Sequence, residues 1–301
     1  MVTAPERASA PPGTADPRVG VVILTYNRLD EVSRTVERML ALKERPRIVV
    51  VDNGSTDGTP ELLRARFPGV RCIAVSGNPG ASGRNAGVAI LDTPYVALCD
   101  DDTWWAPGSL GRAADLLDAC PRLAVVAGRV LVGPEQRFDP ICRAMADSPV
   151  TPRTALPGPA IVGFLAGAAM VRRSAFLAVG GFERRVFIGG EEELLTLDLL
   201  SRGWELAYVE DVVVHHHPSQ VNRDPSARHV VGERNHLWVA WLRYPLRWAV
   251  GETVRVMLAA RTDPTSRAAL DAALRELPWA LAHRRAIPPD VRRRLRQLAG
   301  A

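Results

Sequence analysis

Three adjacent carboxylates, Asp100, Asp101 and Asp102, follow the apolar run Val96-Ala97-Leu98-Cys99. Like charges at the end of a buried strand repel, and a divalent cation offsets that cost. Hard ions such as Mg2+ or Mn2+ prefer oxygen ligands and keep positions open for water or a substrate's phosphates. A solvated loop or a helix cap before Pro107 is the plainer reading, but it gives no reason for Trp104 and Trp105, which follow at once. A second acidic group, Glu191, Glu192 and Glu193, opens a leucine-rich helix after Gly189-Gly190. The helix macrodipole accounts for at least one of these acids, and another, held in a cleft, would serve as a general base. Successive helical residues point about 100° apart, so the three cannot share one site.

Three further segments carry weaker chemistry. His215, His216 and His217 end an alternating run, and in an extended chain His216 faces away from its two neighbours, so one face holds any metal ligand. In VVVDNGSTDGT, Asp52 follows a strand directly, where a carboxylate accepts from a base or ribose; an Asp-Asn-Gly turn capping a helix is the competing explanation. In NPGASGRNAG, three glycines and Arg84 permit close approach of backbone and cation to phosphate, as does a helix start packed tightly on a sheet.

Positioning these groups requires strands. Val19–Leu24, Arg47–Val51, Val70–Val75 and Tyr95–Leu98 are short, β-branched runs of the kind buried on both faces. Helical patterns over Leu29–Leu42, Thr59–Phe67 and Ala81–Leu91 separate them, which predicts a parallel α/β sheet with right-handed crossovers. Functional groups gather beyond the carboxyl ends of such strands. There stand Thr25, Tyr26 and Asn27, then Asp52, then the aspartate triplet. Farther on, the pattern predicts a helix to Ala119, a strand at Leu123–Val132, an irregular stretch to Gly158, a buried strand at Ile161–Val171, an acidic helix from Gly190 to Ser201, and one or two strands over Trp204–Val214. The uncharged stretch Thr154–Val171 reaches the lower length for a membrane span, but Pro157, Pro159 and three glycines favour a loop leading into a strand.

The chain has 301 residues, 47% hydrophobic and 24% charged, which excludes wholesale disorder. Four dispersed cysteines without a CxxC pair, and no apolar leader for secretion, point to a reducing cytoplasm rather than a disulfide or zinc framework. The net charge of +5 is concentrated: residues 222–301 hold 15 Arg against 7 acids, leaving the first 221 residues near −3. That tail is helical in pattern, with breaks near Pro245, Pro264 and Pro288. Asn235–Val250 interleaves Trp238, Trp241, Tyr244 and Trp248 with Arg243 and Arg247. Such a helix suits an anionic membrane face, or equally packing on the rest of the chain or in a homodimer.

Together these segments resemble the inverting glycosyltransferases of family 2, of nucleotide-diphosphosugar transferase (GT-A, Rossmann-like) fold, and among them the bacterial rhamnosyl- and galactofuranosyl-type transferases. The match covers Val19 to Pro218 through VVILTYNR, VVVDNGSTDGT, NPGASGRNAG, ALCDDDTWWAPGSL, FLAGAAMVRRSAFLAVGGF, GGEEELLTLDLLSRGW and YVEDVVVHHH, in the family's order and spacing. The resemblance implies a mixed, mostly parallel sheet in a catalytic domain at 19–221, after a flexible leader at 1–18 and before a basic helical extension at 222–301. It implies that Thr25, Tyr26, Asn27 and Asp52 hold the donor's base and ribose, with Asp101 near the ribose or diphosphate. Asp100 and Asp102 would supply the DxD metal function for Mg2+ or Mn2+, joined by His216. Glu192 takes the place of the catalytic base, and Glu191 precedes it. Glutamate stands where aspartate is usual, and Leu194 where a second acid often occurs, so the base is Glu192 or Glu191. The implied reaction moves a sugar from a UDP-, GDP- or dTDP-linked donor to a glycan, lipid-linked or small-molecule acceptor. A metal-dependent nucleotidyltransferase of the same fold is the alternative enzyme. A basic scaffold protein leaves both acidic groups unexplained, and no nucleic-acid partner is expected.

Overall fold

The computed structural model describes residues 15–219 and 225–299. The first fourteen residues of the expected leader, and the expected boundary at 221/222, lie outside them. Of the leader's last residues, Arg18 pairs with Asp16 and reaches Asp115 and Asp118 at 2.8 and 2.6 Å.

The chain opens as β1 (Val19–Thr25), α1 (Leu29–Leu40), β2 (Arg47–Asp52), α2 (Thr59–Arg66), β3 (Arg71–Ala74), α3 (Arg84–Ile90) and β4 (Tyr95–Asp100). β1 is central to this half, parallel to β2 and to β4, while β2 is parallel to β3. Its register pairs Thr25 with Asp52 and Leu24 with Asp100, so the three polar strand ends lie level on one edge. Val21, Val22, Ile23, Val50, Val96 and Leu98 are fully buried, as expected of strands covered by helices on both faces.

The second half is β5 (Thr103–Trp105), α4 (Ser109–Ala119), β6 (Leu123–Val132), β7 (Arg137–Phe138), α5 (Pro140–Ala146), β8 (Ala169–Arg172), α6 (Arg173–Val179), α7 (Glu191–Ser201) and β9 (Glu205–His216). The sheet order is β3-β2-β1-β4-β8-β6-β9-β5, with β7 paired to β6. β8 runs antiparallel to both β4 and β6, and β9 is parallel to β6. Two expectations are corrected. The strand expected at Ile161–Val171 is strand only in β8, because a 3-10 turn at Ala166–Ala168 precedes it. The stretch expected to be irregular up to Gly158 contains α5, capped by the Asp139 carboxylate, which accepts from the Ile141 N–H at 2.9 Å. A turn is expected at Gly180 and Gly181 and is present, but the helix that it closes, α6, is not announced by the sequence pattern.

The C-terminal part is helical throughout its described length: α8 (Pro225–Arg243), α9 (Leu246–Ala259), α10 (Pro264–Arg275), α11 (Leu277–Ala282) and α12 (Pro289–Ala299). Prolines stand at starts, where a missing N–H costs nothing: Pro245 caps α9, and Pro264 opens α10. The tryptophans of the aromatic segment face inward. Trp238 donates to the Ala273 carbonyl at 3.1 Å, Trp241 to the Thr253 hydroxyl at 3.0 Å, and Tyr244 to Glu193 of α7. Arg243 grips Asp198 of α7 with two hydrogen bonds, of 2.6 and 2.9 Å. From α12, Arg294 makes a bidentate, buried pair with Glu205 at the start of β9. No described helix is long and apolar enough to cross a membrane.

Candidate active site

A cavity of about 600 Å³ opens at the carboxyl edge of the sheet. Its wall includes Thr25, Tyr26, Arg84, Asp100, Asp101, Asp102, Glu191, Glu192 and His216, so nine of the eleven residues anticipated from sequence converge on one space. Asn27 and Asp52 stand outside that lining. Asp52 accepts from the Gly54 and Ser55 N–H groups, at 3.2 and 3.0 Å, and from the Ser55 hydroxyl. Asn27 holds the same turn from β1, its side chain accepting from the Thr56 N–H at 2.7 Å. Both are engaged in the turn that closes the strand ends.

The three aspartates are held differently. Asp100 takes the buried guanidinium of Arg84. Asp101, itself buried, meets Arg28 at 2.8 Å; desolvation outweighs that cation and pushes its carboxyl up to about 7. Asp102 accepts from the Ser219 N–H at 3.0 Å and has His216 Nε2 3.6 Å from its Oδ1. Sheet register makes the last contact. β5 runs antiparallel to β9, pairing Thr103 with His216 and Trp104 with His215. Side chains alternate across β9, so His216 turns to the cavity while Trp104 stacks on His215 at 5.4 Å and meets His217 edge-on at 4.6 Å. Arg38 covers the other side of that indole at 3.5 Å. Trp105 is fully buried in the core. The tryptophan pair therefore anchors the strand that follows the triplet.

Among the described residues no three His, Cys, Asp or Glu side chains are gathered as a closed metal site. What the wall offers is a carboxylate and an imidazole side by side, Asp102 and His216. This pair fits a divalent ion bound in an open site, with the remaining positions left for water and substrate oxygens. Asp100 is turned instead to Arg84.

Gly190 in the left-handed conformation caps α7 and presents its first residues to the same lining. Glu191 is buried, and its Oε2 has no hydrogen-bond partner among the described residues. Glu192 is half-buried and accepts from the Ala166 N–H at 3.3 Å. Burial drives both carboxyls above their ordinary range; Arg84 opposes the rise at each, and Glu192 adds to it at Glu191. Glu193 points elsewhere, to Tyr244, as helical geometry requires.

The profile described as glycosyl transferase family 2 matches residues 20–180. The chain belongs to glycosyl transferase family 2. It is similar, at 31% identity over 83% of its length and 93% of the relative's, to N-acetylglucosaminyl-diphospho-decaprenol L-rhamnosyltransferase of Mycobacterium tuberculosis. Its fold is similar to that of the mannosyltransferase PcManGT from Pyrobaculum calidifontis, solved with GDP-Man and Mn2+ (21% identity, TM-score 0.55, 96% of this chain and 78% of that one). It is similar also to TarS of S. aureus, residues 1–349, solved with UDP-GlcNAc (15% identity, TM-score 0.54, 74% and 66%). The fold is thus the GT-A α/β fold, and the chain is a glycosyltransferase.

Sequence reasoning missed several residues of this family 2 site. Arg28, next after Asn27, crosses to Asp101 and Asp102. Gly167 lies so close to Asp100 that an added Cβ would stand 2.6 Å from its Oδ2. Phe187, at φ +66, takes a backbone form rare for a bulky residue, and its carbonyl receives the Ala81 N–H at 2.7 Å. Buried Asn235 of α8 holds that loop, its amide donating to the carbonyls of Val186, Ile188 and Gly189 at 2.6, 2.9 and 2.6 Å. Asn235 stands in the polar run Glu233-Arg234-Asn235-His236, which gives no local sign of its burial.

Proposed function

We propose that this glycosyltransferase moves a sugar from a nucleoside-diphosphate donor to an acceptor hydroxyl with inversion at the anomeric carbon, assisted by a divalent ion. The observation that carries the reading is the gathering, within one cavity, of a half-buried carboxylate on α7 with the aspartates that end and follow β4 and with His216 of β9. Asp102 and His216 would hold Mg2+ or Mn2+, which supplies Lewis-acid neutralisation of the departing diphosphate. Arg84 and Arg28 lie beside the same aspartates and add fixed positive charge along the donor's path. Thr25 and Tyr26 line the end of the cavity at β1, where the nucleoside would lie.

Glu192 is assigned as the base. Its carboxylate takes the proton of the acceptor hydroxyl as that oxygen bonds to the anomeric carbon, while the bond from that carbon to the diphosphate oxygen breaks. The nucleoside diphosphate leaves on the opposite face, giving single displacement. Glu191, with one oxygen lacking a described partner, is the second candidate for that role, to which loss of turnover in Glu191→Gln alone would transfer it. The activity named for the mycobacterial relative supports a deoxyhexosyl donor and an acceptor sugar on a lipid diphosphate.

Thermal stabilisation by dTDP-, UDP- and GDP-sugars, with and without Mn2+, identifies the donor. Product analysis then decides the reaction class. Release of a nucleoside diphosphate supports glycosyl transfer; release of pyrophosphate would make the chain a nucleotidyltransferase.

A further inference from the structure

The aromatic residues that sequence offered to a membrane are spent on internal packing, and a different face of the C-terminal helices is bare. On α9, Leu246, Val250, Val254, Met257 and Leu258 are each between 45% and 57% exposed. At about 100° per residue they fall within one third of the helix circumference. Ala249, Val256 and Ala260 mark the opposite, buried side, which packs on α8 and α10. Arg247 falls on the exposed arc and is itself exposed, and Arg261, in the turn after the helix ends at Ala259, is exposed as well. Glu252, the helix's one acid, projects elsewhere and is engaged by His236 at 3.2 Å and Arg255 at 2.8 Å. The bare face of α9 thus combines five apolar side chains with the Arg247 guanidinium and no carboxylate, and the exposed Arg261 follows just past its end.

We infer that this face of α9 docks on an anionic lipid surface. The apolar stripe enters the boundary of the acyl region, and Arg247 and Arg261 remain at the level of the headgroups. The helix lies in the surface plane: its 14 residues extend about 21 Å, short of the roughly 30 Å hydrocarbon core. A second copy of the chain is a poorer occupant. A symmetric pairing of the two stripes would crowd four arginines where this face of α9 has no acid to receive them. The surrounding segment is cationic as a whole, with 15 Arg against 7 acids over residues 222–301. α8, against which α9 packs, contributes Arg228 and Val231 to the cavity wall, so the docked helices also border the site. Service to a lipid-borne acceptor rests on the proposed function; the docking itself does not.

The test is flotation of the full chain with vesicles of phosphatidylglycerol and phosphatidylcholine (3:7), against phosphatidylcholine alone. The chain is expected to float with the anionic vesicles and to be released by salt. Val254→Glu/Met257→Glu should lower the bound fraction at least tenfold, and Arg247→Gln/Arg261→Gln should lower affinity about fivefold per arginine. Unchanged thermal midpoints and unchanged stabilisation by nucleotide sugar show that both variants are folded with the site intact. The arginine pair changes no apolar contact and serves if the glutamate pair misfolds. Absence of flotation by the wild type, or wild-type flotation by the folded variants, overturns the inference. So does light scattering in which Val254→Glu/Met257→Glu converts a dimer to a monomer without altering vesicle binding. Flotation needs no turnover, so failure of the proposed reaction leaves this readout untouched.

Discussion

His216 Nε2 stands 3.6 Å from Asp102 Oδ1, brought there by the pairing of Thr103 with His216 between β5 and β9. The contact joins the end of the acidic triplet to the last strand of the sheet. It has consequences for metal dependence, because each residue would give one ligand and substrate oxygens the rest.

His216→Ala should raise the Mn2+ concentration needed for donor binding about tenfold, equivalent to about 1.4 kcal/mol. Asp102→Asn, which removes the anionic ligand, should raise it further. Calorimetric titration of nucleotide sugar at several Mn2+ concentrations checks both. An unchanged metal requirement in either variant would remove that residue from the ion's coordination.

The two glutamates of α7 separate by pH as well as by mutation. A base must be ionised, and burial holds these carboxyls above the ordinary 4.5, so kcat/KM should rise with pH along a limb displaced to the alkaline side of that value. Glu192→Gln should reduce kcat by about 10²–10⁴-fold with donor binding retained. Glu191→Gln should keep activity and leave the limb in place, because burial and the Asp100 charge are what raise Glu192, while Glu192 acts on Glu191 and not the reverse. Loss of turnover in Glu191→Gln alone would transfer the role of base to Glu191. Stability follows the same sign: above 4.5 the unfolded chain has lost protons that the folded pair retains, so stability falls as pH rises through the folded pKa. Thermal midpoints of Glu191→Gln should decline less over that range.

How much of this was legible is uneven, for a physical reason. The first four strands declared themselves because burial on both faces demands runs such as Val-Val-Ile-Leu, and their polar ends were read directly. Alternation alone placed His216 opposite its neighbours. β5 has three residues and exists through its pairing with β9, so no local pattern announces it. Ile161–Ala168 is as apolar as a strand, yet Gly163 and Gly167 release it into a turn beside Asp100. Arg28 and Asn235 matter through partners far along the chain, which no window of sequence contains.

Gly167 is the close-approach case. Asp100 is short and its other oxygen is held by Arg84, so it has little room to yield to a methyl group 2.6 Å away. Gly167→Ala should cost about 1–3 kcal/mol in strain and weaken donor binding by displacing Asp100 from Arg84. Chemical denaturation and donor titration measure the two effects separately. A variant with wild-type stability and affinity would show that this approach is not constraining.

Asn235 links the C-terminal helices to the catalytic loop. Its removal takes the amide donor from the carbonyls of Ile188 and Gly189 and leaves that of Val186 only Arg234 at 3.5 Å, at a cost of about 1–3 kcal/mol. The same loop holds Phe187 in its positive-φ form and leads into Glu191. Asn235→Ala should therefore lower kcat more than it raises donor KM, since Thr25, Tyr26 and Asp102 are fixed by the sheet. Equal effects on both parameters, or a purely thermal defect, would confine Asn235 to packing.

The buried pair between Arg294 and Glu205 bears on how the last helix belongs to the molecule. Glu205 is 1% exposed and receives both guanidinium nitrogens, at 2.8 and 2.9 Å, with the Arg153 N–H adding a third contact at 3.1 Å. Arg294→Met should destabilise by about 3–5 kcal/mol, because it strands a buried carboxylate. Arg153, with its Nη1 3.7 Å from the same carboxylate, would relieve part of that. Adding Glu205→Gln removes the stranded charge and should recover much of the loss. Denaturant unfolding of the two single variants and the double distinguishes this from simple loss of helix packing. If the double variant is as unstable as Arg294→Met alone, the arginine acts through its aliphatic stem and the ion pair contributes little.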